Sequence, residues 1–293
     1  MKILPDTCIV RRKLLLIYLL TVSLSQVDNS FAQQRNQGNK LTINEAHKHV
    51  FALKTGREIF LFTLGTGLNI YNAYLQNQVN PLTPDEIDQL DPEHVNPFDR
   101  KTIDFYNEEG RGNFLLYASF LIPLAIPLKI FKGDEHKSDW KIWAVMTSEL
   151  LFLNGGLNGV IKSSVLRIRP FVYNPDVSIE LKTKKNARFS FYSAHTSTTA
   201  SFTFFTARLF SSYLTDTKTK TYIWIGALTY PALTGYLRLK TGRHFRTDVF
   251  TGYLFGAFFG YIIPELHRIS NDRLSFRPSL GGDTFQVYLS YSL

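Results

Sequence analysis

Apolar residues in this chain are gathered into blocks separated by strongly polar stretches. Six blocks have the length of bilayer-crossing helices: about 58–76, 113–131, 141–161, 197–214, 221–237 and 249–265. Roughly 20 predominantly apolar residues span the hydrocarbon layer. Several blocks are apolar all round, whereas a soluble all-α protein carries its apolar residues on one helical face. The second contains Pro123 and Pro127, which membrane helices tolerate better than soluble ones. The fourth is rich in Ser and Thr, and the sixth carries Gly252, Gly256 and Gly260. Such a small-residue stripe permits close helix packing in lipid. The first block is the weakest, diluted by Gly65, Thr66, Gly67, Asn69 and Asn72.

The flanks have their own patterns. Arg11, Arg12 and Lys13 precede a short apolar run from Leu14 to Leu24, and Ser30-Phe31-Ala32 follow before Gln33. This predicts a signal peptide over 1–32, with an uncleaved anchor as the alternative. Residues 33–57 form a polar lead-in. After about Asp272, Leu274-Ser275-Phe276 and Phe285 to Tyr291 alternate apolar and polar positions around Gly281-Gly282-Asp283, which predicts a β-hairpin. The expected fold is all-α: a multi-pass bundle of about six transmembrane helices over 58–268, with a small C-terminal hairpin over 269–293.

The loop from Gln78 to Arg111 is acidic and contains two turn or helix-start signals, Pro81-Leu82-Thr83-Pro84-Asp85-Glu86 and Asn96-Pro97-Phe98-Asp99-Arg100. The short loops at 129–141 and 218–220 carry lysines, and the positive-inside rule places them in the cytoplasm. The acidic loop, residues 162–196 and the loop before Asp248 then face the periplasm across a bacterial inner membrane. A cleaved signal followed by six complete crossings would put 162–196 on the other side. The two agree only if 58–76 does not fully cross.

Composition narrows the partners. Hydrophobic residues make up 44% and aromatic residues 14%, yet the mean hydropathy is near zero because the polar loops offset the blocks. The formal charge of +9 suits nucleic acid, an anionic membrane surface or a phosphorylated substrate. No helix-turn-helix, zinc-finger or ribonucleoprotein signature is present, nor a long Lys/Arg stripe, so nucleic acid is not the expected partner. The single cysteine, Cys8, lies in the leader, and no intramolecular disulfide can form.

Three clusters carry candidate chemistry. In the first, Lys162 and Arg169 are seven residues apart with Pro170 next. On a helix they would project from nearly one face and could grip a dianionic phosphoryl group. In the second, Ser190-Phe191-Tyr192-Ser193-Ala194-His195 runs into the fourth block. A helix N-terminus there offers amides to an anion, Ser193 a hydroxyl, and His195 a group that can protonate a leaving group. In the third, Arg238, His244 and Asp248 enter the sixth block. His244 and Asp248 stand at i, i+4, where a carboxylate can fix the imidazole tautomer and leave the other nitrogen free to attack. Taken singly, each cluster also reads as interfacial anchors, a helix cap or a helix-end ion pair.

Together the clusters resemble the type 2 phosphatidic acid phosphatase family, whose site is similar to that of vanadium haloperoxidases. The pattern is Lys-x6-Arg-Pro, then Pro-Ser-Gly-His, then Ser-Arg-x5-His-x3-Asp. Lys162, Arg169, Pro170, Ser193, His195, Arg238, His244 and Asp248 match it at fixed spacing, within roughly 113–265. Tyr192, Ala194 and Leu237 stand where the pattern has Pro, Gly and Ser.

The resemblance implies a phosphohistidine on His244 oriented by Asp248, with His195 as acid. It also implies a cradle of Lys162, Arg169, Arg238, Ser193 and the Ala194 amide, and no metal or other cofactor. The chain shows no further His/Asp/Glu cluster at ligand spacing. The implied substrate is a lipid phosphate or pyrophosphate. A lipid-binding pseudo-enzyme and a vanadium-dependent haloperoxidase are the alternatives.

Overall fold

Helix α1, Thr55–Gln78, runs without a break and packs along most of a later helix, α6, Lys137–Val165. This computed structural model describes residues 50–106, 111–131, 137–269, 274–281 and 284–291. The expected signal peptide and most of the polar lead-in lie outside the described residues. Between α1 and α6 come α2 (Pro84–Asp88), α3 (Pro97–Arg100), α4 (Arg111–Ser119) and α5 (Ala125–Lys129). After α6 come α7 (Ile179–Lys182), α8 (Ala194–Tyr213), α9 (Thr217–Lys240) and α10 (Arg246–His267). Residues 214–222, which begin α9, group apart from the larger unit formed by 49–213 and 223–293. All three motif clusters belong to the larger unit.

The described chain is mostly helical, as an all-α class requires, but its segments depart from the expected six spans in two ways. The block at 113–131 is not one helix: α4 stops at Ser119, single turns follow, and α5 starts at Ala125. Pro123 lies in the break and has no amide hydrogen with which to continue a helical ladder. And among the described residues, one helix, α10, is both long and apolar enough to cross a membrane. The diluted first block, by contrast, forms the full 24-residue α1, about 36 Å long at 1.5 Å per residue.

The packing of α8 against α10 explains two sequence features together. On α10, Gly252, Gly256 and Gly260 face α8 so closely that a Cβ at Gly256 would stand 2.1 Å from the carbonyl oxygen of Ser197. The small-residue stripe is therefore a contact surface. On α8, Thr196, Ser197, Thr199, Ser201, Thr203 and Thr206 are buried. Several of their hydroxyls are satisfied by carbonyls of their own helix, such as Thr199 to His195 at 2.9 Å and Ser201 to Thr198 at 2.9 Å. The opposite face of α10 presents Phe250, Leu254, Phe258 and Tyr261 outward. Small and polar residues inside, with large apolar ones outside, are the distribution that lipid favours.

The two helix-start signals of the acidic loop behave as expected. Thr83 and Glu86 form a reciprocal capping box on α2, and Asn96 caps α3. An apolar cluster of Leu82, Ile87, Phe171, Val172, Val177 and Ala187 ties this loop to the segment after α6. Arg188 adds an ion pair to Glu86 at 2.6 Å. After α10, β1 (Leu274–Gly281) pairs antiparallel with β2 (Thr284–Tyr291), Leu274 opposite Tyr291. The expected turn residues Gly282 and Asp283 lie outside the described residues.

Candidate active site

Alternating helix directions bring six element ends to one cavity of about 830 Å3. Its walls include Asn72 of α1, Asn113 of α4, Lys162 of α6, His195 of α8, Arg238 of α9 and His244 before α10. Five lining side chains are cationic, with Arg169, Lys185 and Arg243 joining Lys162 and Arg238. Among the described residues that line it, none is a carboxylate. A concave site with one sign of charge and low-dielectric walls concentrates anions.

The first cluster reaches the cavity by a different route from the one its spacing suggests. Helix α6 ends at Val165, and Leu166 adopts φ 50°, a left-handed conformation that costs a non-glycine residue about 1–2 kcal/mol. Arg169 therefore lies beyond the helix, just before the 3-10 turn Pro170–Tyr173. Lys162 and Arg169 do not share a helical face. Lys162 Nζ donates to the Phe189 carbonyl at 2.9 Å. Arg169 is held by three protein acceptors: its Nε donates to the Asn186 carbonyl at 2.9 Å, Nη1 to the Arg243 carbonyl at 2.9 Å, and Nη2 to Asn186 Oδ1 at 3.0 Å. Arg238 is less satisfied. Its Nη1 reaches Asn113 Oδ1 at 3.4 Å, and its buried Nε has no hydrogen-bond partner. An orphaned guanidinium donor beside a polar cavity is suited to an incoming oxyanion.

In the second cluster, Ala194 and His195 line the cavity at the start of α8. His195 Nε2 lies 2.9 Å from Asn113 Oδ1; the amide oxygen accepts, so the ring nitrogen carries the hydrogen. Ser193 is fully buried, and its Oγ serves Thr196, accepting from Thr196 Oγ1 at 3.0 Å. The hydroxyl thus acts as a cap of α8. Tyr192, where the family pattern has Pro, is buried and stacks on Phe255 with ring centroids 5.1 Å apart.

The third cluster turns on Gly242. Its φ is 62°, and a Cβ there would lie 2.1 Å from the Phe105 carbonyl oxygen, so no other residue fits this turn without displacement. The turn places His244 ahead of α10, which begins at Arg246, so His244 and Asp248 are not two positions on one helical face. His244 Nδ1 stands 2.7 Å from the Ser190 carbonyl oxygen. A carbonyl only accepts, so Nδ1 carries the hydrogen and Nε2 keeps its lone pair. Nε2 is 3.4 Å from Arg169 Nη1. Burial, and next the Arg169 and Lys162 cations, hold the imidazole pKa well below its ordinary value. The ring is neutral at physiological pH.

Asp248 contacts the imidazole less directly than expected. Its Oδ2 is 3.6 Å from His244 Nδ1, beyond hydrogen-bond reach. The same oxygen accepts from Ser190 Oγ at 2.5 Å and from the Phe245 amide at 2.8 Å. Its Oδ1 accepts from Arg167 Nη1 at 2.6 Å. Arg167 reaches on to Asp99 Oδ2 at 2.8 Å, and Thr247 donates to Asp99 through both its amide and its hydroxyl. Ser190, Arg167 and Asp99 therefore belong to the framework that positions His244. Of the two arginines flanking His244, Arg243 lines the cavity, whereas Arg246 stacks over the Phe98 ring at 5.4 Å.

Residues 143–272 match the sequence profile of the PAP2 superfamily. This segment is thus similar to the PAP2 superfamily. It contains all eight matched motif positions, from Lys162 to Asp248. The PAP2 segment stops short of β1 and β2, and the comparisons lend the hairpin no support. The crystal structure of the first transmembrane PAP2-type phosphatidylglycerolphosphate phosphatase from Bacillus subtilis is similar over 71% of this chain and 94% of that one. The identity is 20% and the TM-score 0.39. No curated protein matches this chain.

Proposed function

We propose that this protein is an integral-membrane lipid phosphatase that works through a phosphohistidine on His244. The match to the PAP2 superfamily supports lipid phosphatase activity in general. The observation that carries the finer reading is a neutral, buried imidazole, its Nε2 unprotonated, beside a cavity whose described lining has five cations and no carboxylate. In the first step the Nε2 lone pair attacks phosphorus and the bond from phosphorus to the lipid oxygen breaks. His195 protonates that oxygen as it leaves. In the second step His195 takes a proton from water, which attacks phosphorus, and the bond to Nε2 breaks, releasing inorganic phosphate. Lys162, Arg169 and Arg238 stabilise the equatorial oxygens, the task that metal ions perform in other phosphoryl-transfer sites. The Ala194 backbone amide completes the cradle at the α8 N-terminus, and Ser193 supports it as a cap.

The outward apolar face of α10 supports embedding in a membrane, which brings lipid headgroups to a cavity at the helix ends. Multi-pass insertion in the inner membrane with a periplasmic opening is the arrangement we favour. Lys137 and Lys141 begin α6, and Lys162 lies toward its other end. Phosphatidic acid, phosphatidylglycerol phosphate, undecaprenyl pyrophosphate and lipid A are the candidate substrates. Lys185 and Arg243 add cations beyond those needed for one phosphoryl group, which favours a headgroup with a second phosphate. The test is phosphate release from these four lipids by detergent-purified protein, with His244→Ala as control. Release from at least one lipid, lost in the variant, is expected. Equal release by the variant, or none from any lipid, would overturn the reading.

A further inference from the structure

At the end of the bundle away from the phosphate cavity, Glu58 of α1, Glu149 of α6 and His267 of α10 meet around one point. Their ligand atoms all lie within 4.8 Å of one another. Glu149 precedes Lys162 by thirteen residues on α6, about 20 Å at 1.5 Å per residue, so the two sites are separate. No sequence spacing reveals this trio, since Glu58 and His267 are 209 residues apart.

The tautomer of His267 sets the problem. Nδ1 lies 2.8 Å from the Ile263 carbonyl oxygen and so carries the hydrogen. Nε2 faces two carboxylate oxygens, Glu58 Oε2 at 3.0 Å and Glu149 Oε2 at 3.1 Å, and when unprotonated, as a metal ligand must be, it aims its lone pair between them. Three electron-rich atoms facing one another require a positive charge between them. Glu58 has part of its charge met elsewhere, because Arg57 Nη2 pairs with its other oxygen, Oε1, at 2.5 Å. Arg57 Nε also donates to Glu58 Oε2 at 3.4 Å, and its remaining contacts are the Leu266 and Ala52 carbonyls. Glu149 has no such relief. Its side chain is fully buried, and neither oxygen makes a hydrogen bond of acceptable geometry. A buried carboxylate in that condition is costly, and in a membrane protein still more so.

We infer that Glu58, Glu149 and His267 bind a divalent first-row transition cation, with Zn2+ the best fit. One imidazole nitrogen and two carboxylate oxygens form a borderline N/O set typical of that ion. A ligating imidazole characteristically donates its other N–H to a carbonyl, as His267 does to Ile263. Bonds of about 2.0–2.2 Å from a central ion place ligand atoms a little over 3 Å apart, near the spacing found here. Three protein ligands leave a fourth position for water. The ion would clamp α1, α6 and α10 together far from the phosphate cavity, so its role is structural and the phosphoryl chemistry proceeds without it.

The test is metal content of tag-free full-length protein in detergent, loaded with Zn2+, desalted and measured by inductively coupled plasma mass spectrometry. Wild type and His244→Ala are expected to hold about one equivalent, and Glu149→Gln and His267→Ala less than a tenth of that. Zn2+ should also raise the melting temperature of chelator-stripped wild type but not of the Glu149→Gln form. Should those two variants fail to fold, Glu58→Gln, altering the one partly exposed ligand, provides the comparison and should bind at least tenfold more weakly. Wild type that retains no Zn2+, or variants that retain as much as wild type, would overturn the proposal. A proton shared among the three side chains would then occupy the cluster.

Discussion

The ring of His244 is held by Ser190, whose carbonyl oxygen stands 2.7 Å from Nδ1. The Ser190 hydroxyl, 2.5 Å from Asp248 Oδ2, carries the carboxylate's influence to the same residue. Asp248 thus positions the His244 imidazole through an intermediary. Hydrogen bonds to a charged acceptor contribute about 1.5–3 kcal/mol, so Ser190→Ala should lower kcat roughly 10- to 100-fold with little change in KM. A conservative Ser190→Thr change should recover part of the loss. A Ser190→Ala enzyme with a normal kcat would remove Ser190 from the positioning chain.

The pH dependence follows from the cations around His244. Its pKa is depressed by burial and by Arg169 and Lys162, so the reactive neutral form persists as pH falls below the ordinary imidazole range. Lys162→Met removes one of those cations and lets the pKa rise. The acid limb of the kcat–pH profile should therefore move to higher pH, apart from any drop in the plateau. An unshifted limb in an active variant would contradict the electrostatic coupling.

His195 is assigned the leaving-group proton. With an ordinary lipid alkoxide, His195→Ala should lose about 10²–10⁴-fold in rate, the usual scale of general acid catalysis. With p-nitrophenyl phosphate, whose leaving group needs no proton, formation of the phosphoenzyme should survive in the same variant. Equal losses on both substrates would assign His195 another role.

Arg167 joins two fully buried carboxylates, Asp99 and Asp248, at 2.8 and 2.6 Å. Removing one partner of a buried ion pair costs roughly 3–5 kcal/mol, because the remaining charge is stranded. Arg167→Met should lower the thermal midpoint in detergent substantially, whereas Arg246→Met, at the stacked arginine nearby, should change it little. Similar midpoints for the two variants would mean that Arg167 is not the structural tie.

Much of this protein is legible in its sequence, and the failures have physical causes. The glycine stripe of α10 and the helix starts at Thr83 and Asn96 are local patterns and lie where the sequence suggests, whereas the three clusters line one cavity by routes that helical spacing does not give. The helix break near Pro123 is marked by a residue that cannot continue a helical ladder, yet bilayer length alone masks it. Lys162 and Arg169 escape helical geometry because Leu166 takes a left-handed conformation that no glycine or asparagine announces. Asp99 and Arg167 are invisible to local reading because their partner, Asp248, is distant in sequence, even though Arg167 stands only two residues before Arg169. The Glu58, Glu149 and His267 cluster is farther still from local inference, since three separate helices assemble it.

The central claim is that His244 Nε2 carries the phosphoryl group. The most direct measurement is rapid acid-free quenching of the purified enzyme during turnover of a ³²P-labelled lipid phosphate, followed by peptide mapping. A phosphohistidine on His244 predicts a label that is stable in alkali, labile in acid and located on that residue, and absent from His244→Ala. A label on another residue, or turnover in His244→Ala at a rate near wild type, would contradict it.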